Sequence, residues 1–445
     1  MAVSSTDLEK KDIKSLLIKQ SIPSSVGILF MSVNILIDTI FVGQWIGSLA
    51  IAALSVVMPI TFFISSLGMA IGVGGSSVLS RALGKGDKDK AVSAFAHQLM
   101  MTLLISSLFV VAGLLFSDEI LYAFGAAGKI TVPAKEFFFP IVIAVPFQAL
   151  SMMGNNVIRA EDKSKHAMIA MIISTVANLV LDVLFIKVLN MGIMGAAIAT
   201  GSSFVLSFLY ILWFFIYRSE LRIKWHHFVW DKKISWEIIS MSFVTFARQG
   251  VISVLNVILN HTLFAQGGET AITIYGIVSR MLMFALFPVL GVTQGFLPIA
   301  GYNYGAGNTS RVKESVRLSI LYAGGLAIFI FIIIMVLAKP IVAVFTTDPE
   351  VIKATPGALR WVFAASPIIA VQLVGAAYFQ AAGKPVKALL LTLSKQGFFL
   401  IPLVLILPQF FGIFGVWVAF PIADVLSTIV TGIFLKKEMN TTLKD

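Results

Sequence analysis

Apolar stretches of about 20 residues recur along the whole chain, and this leaves it few folds to adopt. A backbone inside hydrocarbon must satisfy its own hydrogen bonds, so spanning segments fold as helices or as closed barrels. Barrel strands need only about 9–11 residues, and these stretches are far longer. Twelve spans can be drawn, near 16–44, 50–79, 92–116, 136–157, 166–190, 193–217, 237–264, 271–297, 314–338, 354–378, 388–408 and 413–435. Only 12% of the residues are charged and 58% are hydrophobic, with a mean hydropathy of +0.94. A soluble domain carries about 25% charge. The expected fold is an all-α polytopic membrane protein, with twelve transmembrane helices in two pseudo-symmetric six-helix bundles.

The net charge of +11 is explained by where the bases fall. With the N-terminus inside, the inner segments hold Lys10, Lys11, Lys14 and Lys19, then Arg81, Lys85, Lys88 and Lys90, then Arg159, Lys163 and Lys165. Arg218, Arg222, Lys224, Lys232 and Lys233 follow, then Arg311, Lys313 and Arg317, Lys384 and Lys387, and Lys436, Lys437 and Lys444. The outer segments hold Lys129, Lys135, Lys187, Lys339 and Lys353. This is the positive-inside pattern and not a nucleic-acid footprint. It predicts a multi-pass protein of the plasma (inner) membrane with both termini cytoplasmic. The first span is too long for a cleaved signal and carries Pro23 and Asp38.

Several chemistries are excluded. Cysteine is absent, which removes disulfides, thiolate metal sites and a Cys nucleophile. The five His include the adjacent pair His226 and His227 in a basic loop, and no H-E-x-x-H. No G-x-x-x-x-G-K-[ST] is present, so the chain carries no ATP-driven engine of its own. Neither an enzyme nor a cofactor is expected.

The sequence repeats itself weakly at a spacing of 221. Gly84 and Gly86 pair with Gly305 and Gly307, Phe124 with Phe345, Pro146 with Pro367, Gly154 with Gly375, Ala160 with Ala381 and Lys163 with Lys384. One residue of slip pairs Asn34 with Asn256, and the opposite slip pairs Gly192–Gly195 with Gly412–Gly415. This divides the chain into a six-helix lobe at 1–217, a cytoplasmic linker at 218–236 and a second six-helix lobe at 237–445. Parallel repeats around a cleft are a secondary-transporter plan. The glycines of GMAIGVGGS, Gly68–Ser76, lie inside the second span and suit close helix packing.

An acid deep in a membrane span costs roughly 2.5–3.5 kcal/mol by insertion scales and is usually kept for function. The first half has two, Asp38 and Asp182. Each lies about 7 or 8 residues from the outer end of its span, roughly 10–12 Å below the surface. Asn34 is one turn below Asp38, Asn178 one turn below Asp182, and Thr200 lies at similar depth on the sixth span. Two carboxylates in low dielectric need a counter-charge. A proton, or Na⁺ coordinated by Asp38, Asn178, Asp182 and Thr200, supplies one. Pro23, about four turns before Asp38, removes a helical hydrogen bond and marks a possible bend. The second half instead places Arg248, Arg280, Lys395 and Asp424 in apolar spans, where burial is expected, with Lys395 and Asp424 as a candidate pair. Candidate cavity residues are Asn34, Met152, Asn156, Arg248, Asn256 and Gln294. Methionines concentrate in the first half, and their flexible thioethers suit a promiscuous pocket.

SRALGKGD after the second span, Gln294 with Pro298, and YNYGAGN after the eighth resemble the multidrug and toxic compound extrusion (MATE) family, most closely its DinF-like branch. The resemblance implies two bundles, ion coupling in the first lobe through Asp38, Asn178, Asp182 and Thr200, and a bending proline at Pro23. The seventh span has Arg248 and Asn256 where the NorM-like branch has an acid, and the tenth has only Gln372. The expected function is a secondary antiporter that exports amphipathic, cationic organic compounds in exchange for H⁺ or Na⁺. Its expected partners are small organic substrates and the bilayer, and it is expected to act as a monomer. A flippase for a lipid-linked saccharide is the alternative, kept open by Arg248, Arg280 and Lys395.

Overall fold

The computed structural model describes residues 7–126, 128–346 and 348–443, and these residues are almost all helical, with no strand among them. Lys444, counted above with the inner bases, lies outside the described residues. The first six long helices are α1 (Ile13–Trp45), α2 (Ser48–Gly84), α3 (Lys88–Leu115), α4 (Gly128–Ala160), α5 (Ser164–Val188) and α6 (Gly192–Tyr217). A run of 74 residues, Lys232–Gly305, then leaves helical geometry at Gly267 and Gly268, where Gly268 has φ 61° and ψ −152°. Glycine alone takes that backbone without a steric penalty. The run is therefore two spans, α7 (232–266) and α8 (269–305). The last four are α9 (Thr309–Phe345), α10 (Pro349–Ala381), α11 (Pro385–Phe411) and α12 (Ile413–Thr441). That gives the twelve spans expected.

The repeat is visible in the backbone. Left-handed residues recur at the spacing of 221: Gly47 and Gly268 (φ 121° and 61°), Gly86 and Gly307 (77° and 74°), Asp162 and Gly383 (62° and 73°). Gly192 and Gly412 match with one residue of slip (59° and 57°). The fifth helix of each half also contains a π-helical stretch, Val183–Val188 in α5 and Ser394–Leu400 in α11.

The chain packs as two compact units, Val26–Thr245 and Met1–Ser25 with Phe246–Asp445. The boundary falls inside α1, two residues beyond Pro23. In the 26–245 unit, Val57, Phe137, Phe138, Ile141 and Ala196 form one core, and Leu79, Phe95, Val157 and Ile238 another. The glycines of α2 allow close approach: a Cβ on Gly68 would lie 2.8 Å from the Ala149 Cα, and one on Gly72 2.9 Å from the Met153 Cα. The loop between α6 and α7 is tied to this unit. The Asp231 N–H donates to His97 Nε2 (2.9 Å), and buried Glu161 accepts from Ser219 Oγ (2.6 Å) and from the N–H groups of Glu220 (3.2 Å) and Leu221 (3.1 Å).

In the other unit Leu259, Val278, Leu359, Phe363, Val404 and Phe420 are buried together. The inner part of α1 packs on α8. Ser25 Oγ donates to the Pro288 carbonyl (3.2 Å), and Gly291 and Gly295 leave space that any Cβ would take from Ser25 and Ser21. Arg311 donates to the carbonyls of Leu8 (3.0 Å) and Lys11 (2.8 Å) and to Asn303 Oδ1 (2.9 Å). This places Asn303 of the YNYGAGN motif in a buried clamp on the N-terminal segment.

Candidate ion and substrate site

Within the 26–245 unit, α1 and α5 lie side by side in one register. Asn34 Nδ2 donates to Asn178 Oδ1 at 2.9 Å, across an offset of 144 residues. The same offset sets Gly27 against Met171, where an added Cβ would lie 2.7 Å from Sδ. It also sets Asp38 beside Asp182. The one-turn spacings 34/38 and 178/182 put amide and carboxyl on the same face of each helix. Asn178 Nδ2 in turn donates to Thr200 Oγ1 on α6 (3.3 Å).

The carboxyls of Asp38 and Asp182 face one another. Asp182 is fully buried and Asp38 is 7% exposed. Neither oxygen of Asp182, nor Asp38 Oδ1, meets a hydrogen-bond donor. Asn34 Oδ1 is likewise buried without a donor. Immediately after Asp182, α5 adopts its π-helical stretch, a departure frequent at functional sites. Two ionised carboxylates 4 Å apart repel by about 4 kcal/mol at an effective dielectric of 20. A proton or a hard cation between them removes that repulsion, and amide and hydroxyl oxygens are the ligands such a cation takes.

The other candidates stand differently. Asn156 is buried against Gly72 and donates to the Met152 carbonyl one turn back (2.9 Å), and Met152 is partly buried. Asn256 is exposed and accepts from the Tyr275 hydroxyl (3.3 Å). Gln294 and Pro23 are partly buried. Arg248 is partly buried, with no partner at Nε. Arg280, expected inside, is exposed, because its face of α8 is left uncovered within its unit. Lys395 and Asp424 do meet, at 2.6 Å, with Lys395 on the π-helical stretch of α11. That pairing neutralises one of the cations on which a strongly basic cavity would depend.

Two residues escaped the sequence reading of the site. Arg159 and Glu161 belong by sequence to a charged inner turn, yet both are buried. Tertiary docking hides them, and no local pattern announces it. The structure also gathers Asp89, His226 and His227, with ligating atoms within 4.8 Å of one another. His227 Nδ1 accepts the Lys224 N–H (2.9 Å), so the neutral ring carries its proton on Nε2, 3.0 Å from Asp89 Oδ1. A metal at Nε2 would force that proton onto Nδ1, against another donor. The trio is a hydrogen-bonded clamp on the loop, not a preformed metal centre.

A family model described as MatE matches residues 23–184 and 243–406. The chain is 25% identical over 409 residues to the multidrug export protein MepA of Staphylococcus haemolyticus (strain JCSC1435), covering 92% of this chain and 90% of that protein. It is 26% identical over 422 residues to MepA of Staphylococcus aureus (strain N315), covering 95% and 93%. Its fold superposes, with a TM-score of 0.94, on the outward-facing conformation of a multidrug resistance MATE family transporter of the MOP superfamily. That structure is 25% identical, and the match covers 100% of this chain and 99% of that one.

Proposed function

Because the chain belongs to the MatE family of membrane transporters, we propose that it exports amphipathic, cationic organic compounds in exchange for H⁺ or Na⁺. Export of several drugs is the activity named for its MepA relatives. The observation that supports ion coupling most directly is the buried, donor-free pair Asp38 and Asp182 above the Asn34–Asn178–Thr200 chain of hydrogen bonds. Asp38 and Asp182 hold the coupling ion, and Asn178 and Thr200 orient the carboxyls or coordinate the cation. This first-half placement is the one expected of the DinF-like branch.

Transport proceeds by alternating access of the two six-helix halves, 1–217 and 237–445, joined by the linker 218–236. Pro23 is the hinge of α1, and Asn34, Met152, Asn156, Arg248, Asn256 and Gln294 contribute to the substrate path. The protein works as a monomer in the plasma (inner) membrane, with both termini cytoplasmic. Dye efflux from proteoliposomes under separately imposed H⁺ and Na⁺ gradients tests this reading. Efflux driven by one gradient is expected, and efflux indifferent to both would refute antiport.

A further inference from the structure

Arg159 lies one residue from the end of α4 and is only 6% exposed. Its one hydrogen-bond partner among the described residues is a thioether, Nη2 to Met171 Sδ at 3.5 Å, and its Nε has none. A guanidinium remains charged at any physiological pH, and a thioether is a weak acceptor. Buried charges are ordinarily paired or fully hydrogen-bonded. The nearest acid in sequence, Glu161, has one oxygen occupied by Ser219, Glu220 and Leu221.

The α1–α5 register locates Arg159 relative to the carboxyl pair. Through Met171 it belongs to the Gly27–Met171 level. Seven residues outward is the Asn34–Asn178 level, and four further is Asp38–Asp182. At 1.5 Å per residue these lie roughly 10 Å and 16 Å from the arginine's level. One polar line within the 26–245 unit thus has a buried cation at its inner end and two acids at its outer end. Gln148 Oε1, Ser151 Oγ and Asn155 Oδ1 on α4 are also buried without partners. Their spacing of three and four residues leads along one helix face to Arg159.

The cover over Arg159 can move. Met171, which meets Arg159, is partly exposed, and an unbranched thioether side chain rearranges at little cost. Gly27 presents no side chain against Met171.

We infer that Arg159 is an anion-recognition site, which takes the carboxylate of a transported compound whose cationic group lies toward Asp38 and Asp182. The inference rests on the export reading above and narrows its substrate class to zwitterionic amphiphiles with charges separated by roughly 10–16 Å. A guanidinium suits this role because its planar fork accepts a carboxylate through two parallel hydrogen bonds.

Calorimetric titration of the purified full-length protein with ω-(trimethylammonio)dodecanoate, its methyl ester and the hexanoate homologue tests the assignment. The long acid is expected to bind about tenfold or more tighter than its ester, and the short acid to show no such preference. Arg159→Gln should abolish the preference while leaving ester affinity unchanged. Arg159→Lys should keep only part of it, and Met171→Ala should strengthen binding of the acid. Equal affinity of the parent protein for acid and ester overturns the inference, as does an Arg159→Gln protein that loses both ligands alike. Should Arg159→Gln fail to fold, Arg159→Lys and Met171→Ala decide it: two variants with the parent's acid-to-ester ratio overturn it. Binding needs no gradient, whereas efflux of the ester does. A failed export reading is therefore distinguishable from a failed assignment of Arg159.

Discussion

Glu161, in the turn between α4 and α5, offers a pH experiment whose sign and size follow from its surroundings. It is 8% exposed, and burial pushes its carboxyl up from the ordinary 4.5 to about 7, against the opposing bonds from Ser219, Leu221 and Glu220. In the unfolded chain the group ionises near its ordinary value. Between 4.5 and 7 the folded protein therefore holds a proton that the unfolded chain has released, and stability falls as pH rises through that window. At about 1.4 kcal/mol per pKa unit, the loss over this window amounts to at most about 3.5 kcal/mol. Glu161→Gln removes the ionisation and keeps an acceptor oxygen for the three donors. Its NH₂ can take the place of Oε2, which has no partner in the parent protein. Thermal unfolding of purified protein, followed from about pH 5 to about pH 8, should show the parent losing stability with rising pH. The Gln variant should be flatter over the same range and the more stable of the two at the alkaline end. Parallel profiles for the two proteins would refute the burial argument.

Other residues give further tests. Asp38→Asn should abolish gradient-driven dye efflux from proteoliposomes while leaving membrane insertion intact, and full efflux by correctly inserted protein would remove Asp38 from the ion site. Pro23→Ala should restore a helical hydrogen bond and slow efflux several-fold with substrate affinity nearly unchanged, which pairing efflux rates with binding titrations will check. Lys395→Met alone should cost about 3–5 kcal/mol by stranding buried Asp424, while Lys395→Met with Asp424→Leu should return close to parental stability. Thermal unfolding of the single and double variants decides this, and a double variant as unstable as the single would count against the ion pair.

The spans and the carboxyl cluster were legible because both depend on local spacing. Asn34, Asp38, Asn178 and Asp182 reveal themselves by one-turn intervals and by equal depth in their spans. Lys395 and Asp424 were legible for a related reason, since an isolated charge in an apolar span needs a partner. The break at Gly267–Gly268 was drawn as a short gap between spans, close to where the structure puts it. Arg159 and Glu161 were not legible. Each lies among charged neighbours in an inner turn, where exposure is the default, and each is buried only because other segments fold over it. The packing of residues before Val26 with residues after Thr245 was equally hidden. Hydropathy marks where a helix starts and stops but not which neighbours it will have. Arg280 shows the converse: an arginine in an apolar span need not be enclosed by its own unit.

That shared first helix has a consequence for biogenesis. The hydrogen bond from Ser25 to Pro288 joins residues 263 apart, and the clamp from Arg311 to Leu8 joins residues 303 apart. Ribosomes add about 5–20 residues per second, so the inner part of α1 waits roughly 15–60 s after its own synthesis before its packing partner exists. During that interval Gln20, Ser21, Ser24 and Ser25 sit in a nascent membrane helix with no α8 to receive them. The first span is the earliest made and among the last to reach its final neighbours. Single cysteines introduced at Leu16, Leu17, Gln20, Ser21 or Ser24, all buried in the finished protein, should therefore react with thiol reagents in a chain stalled before residue 288 and be protected once the chain is complete.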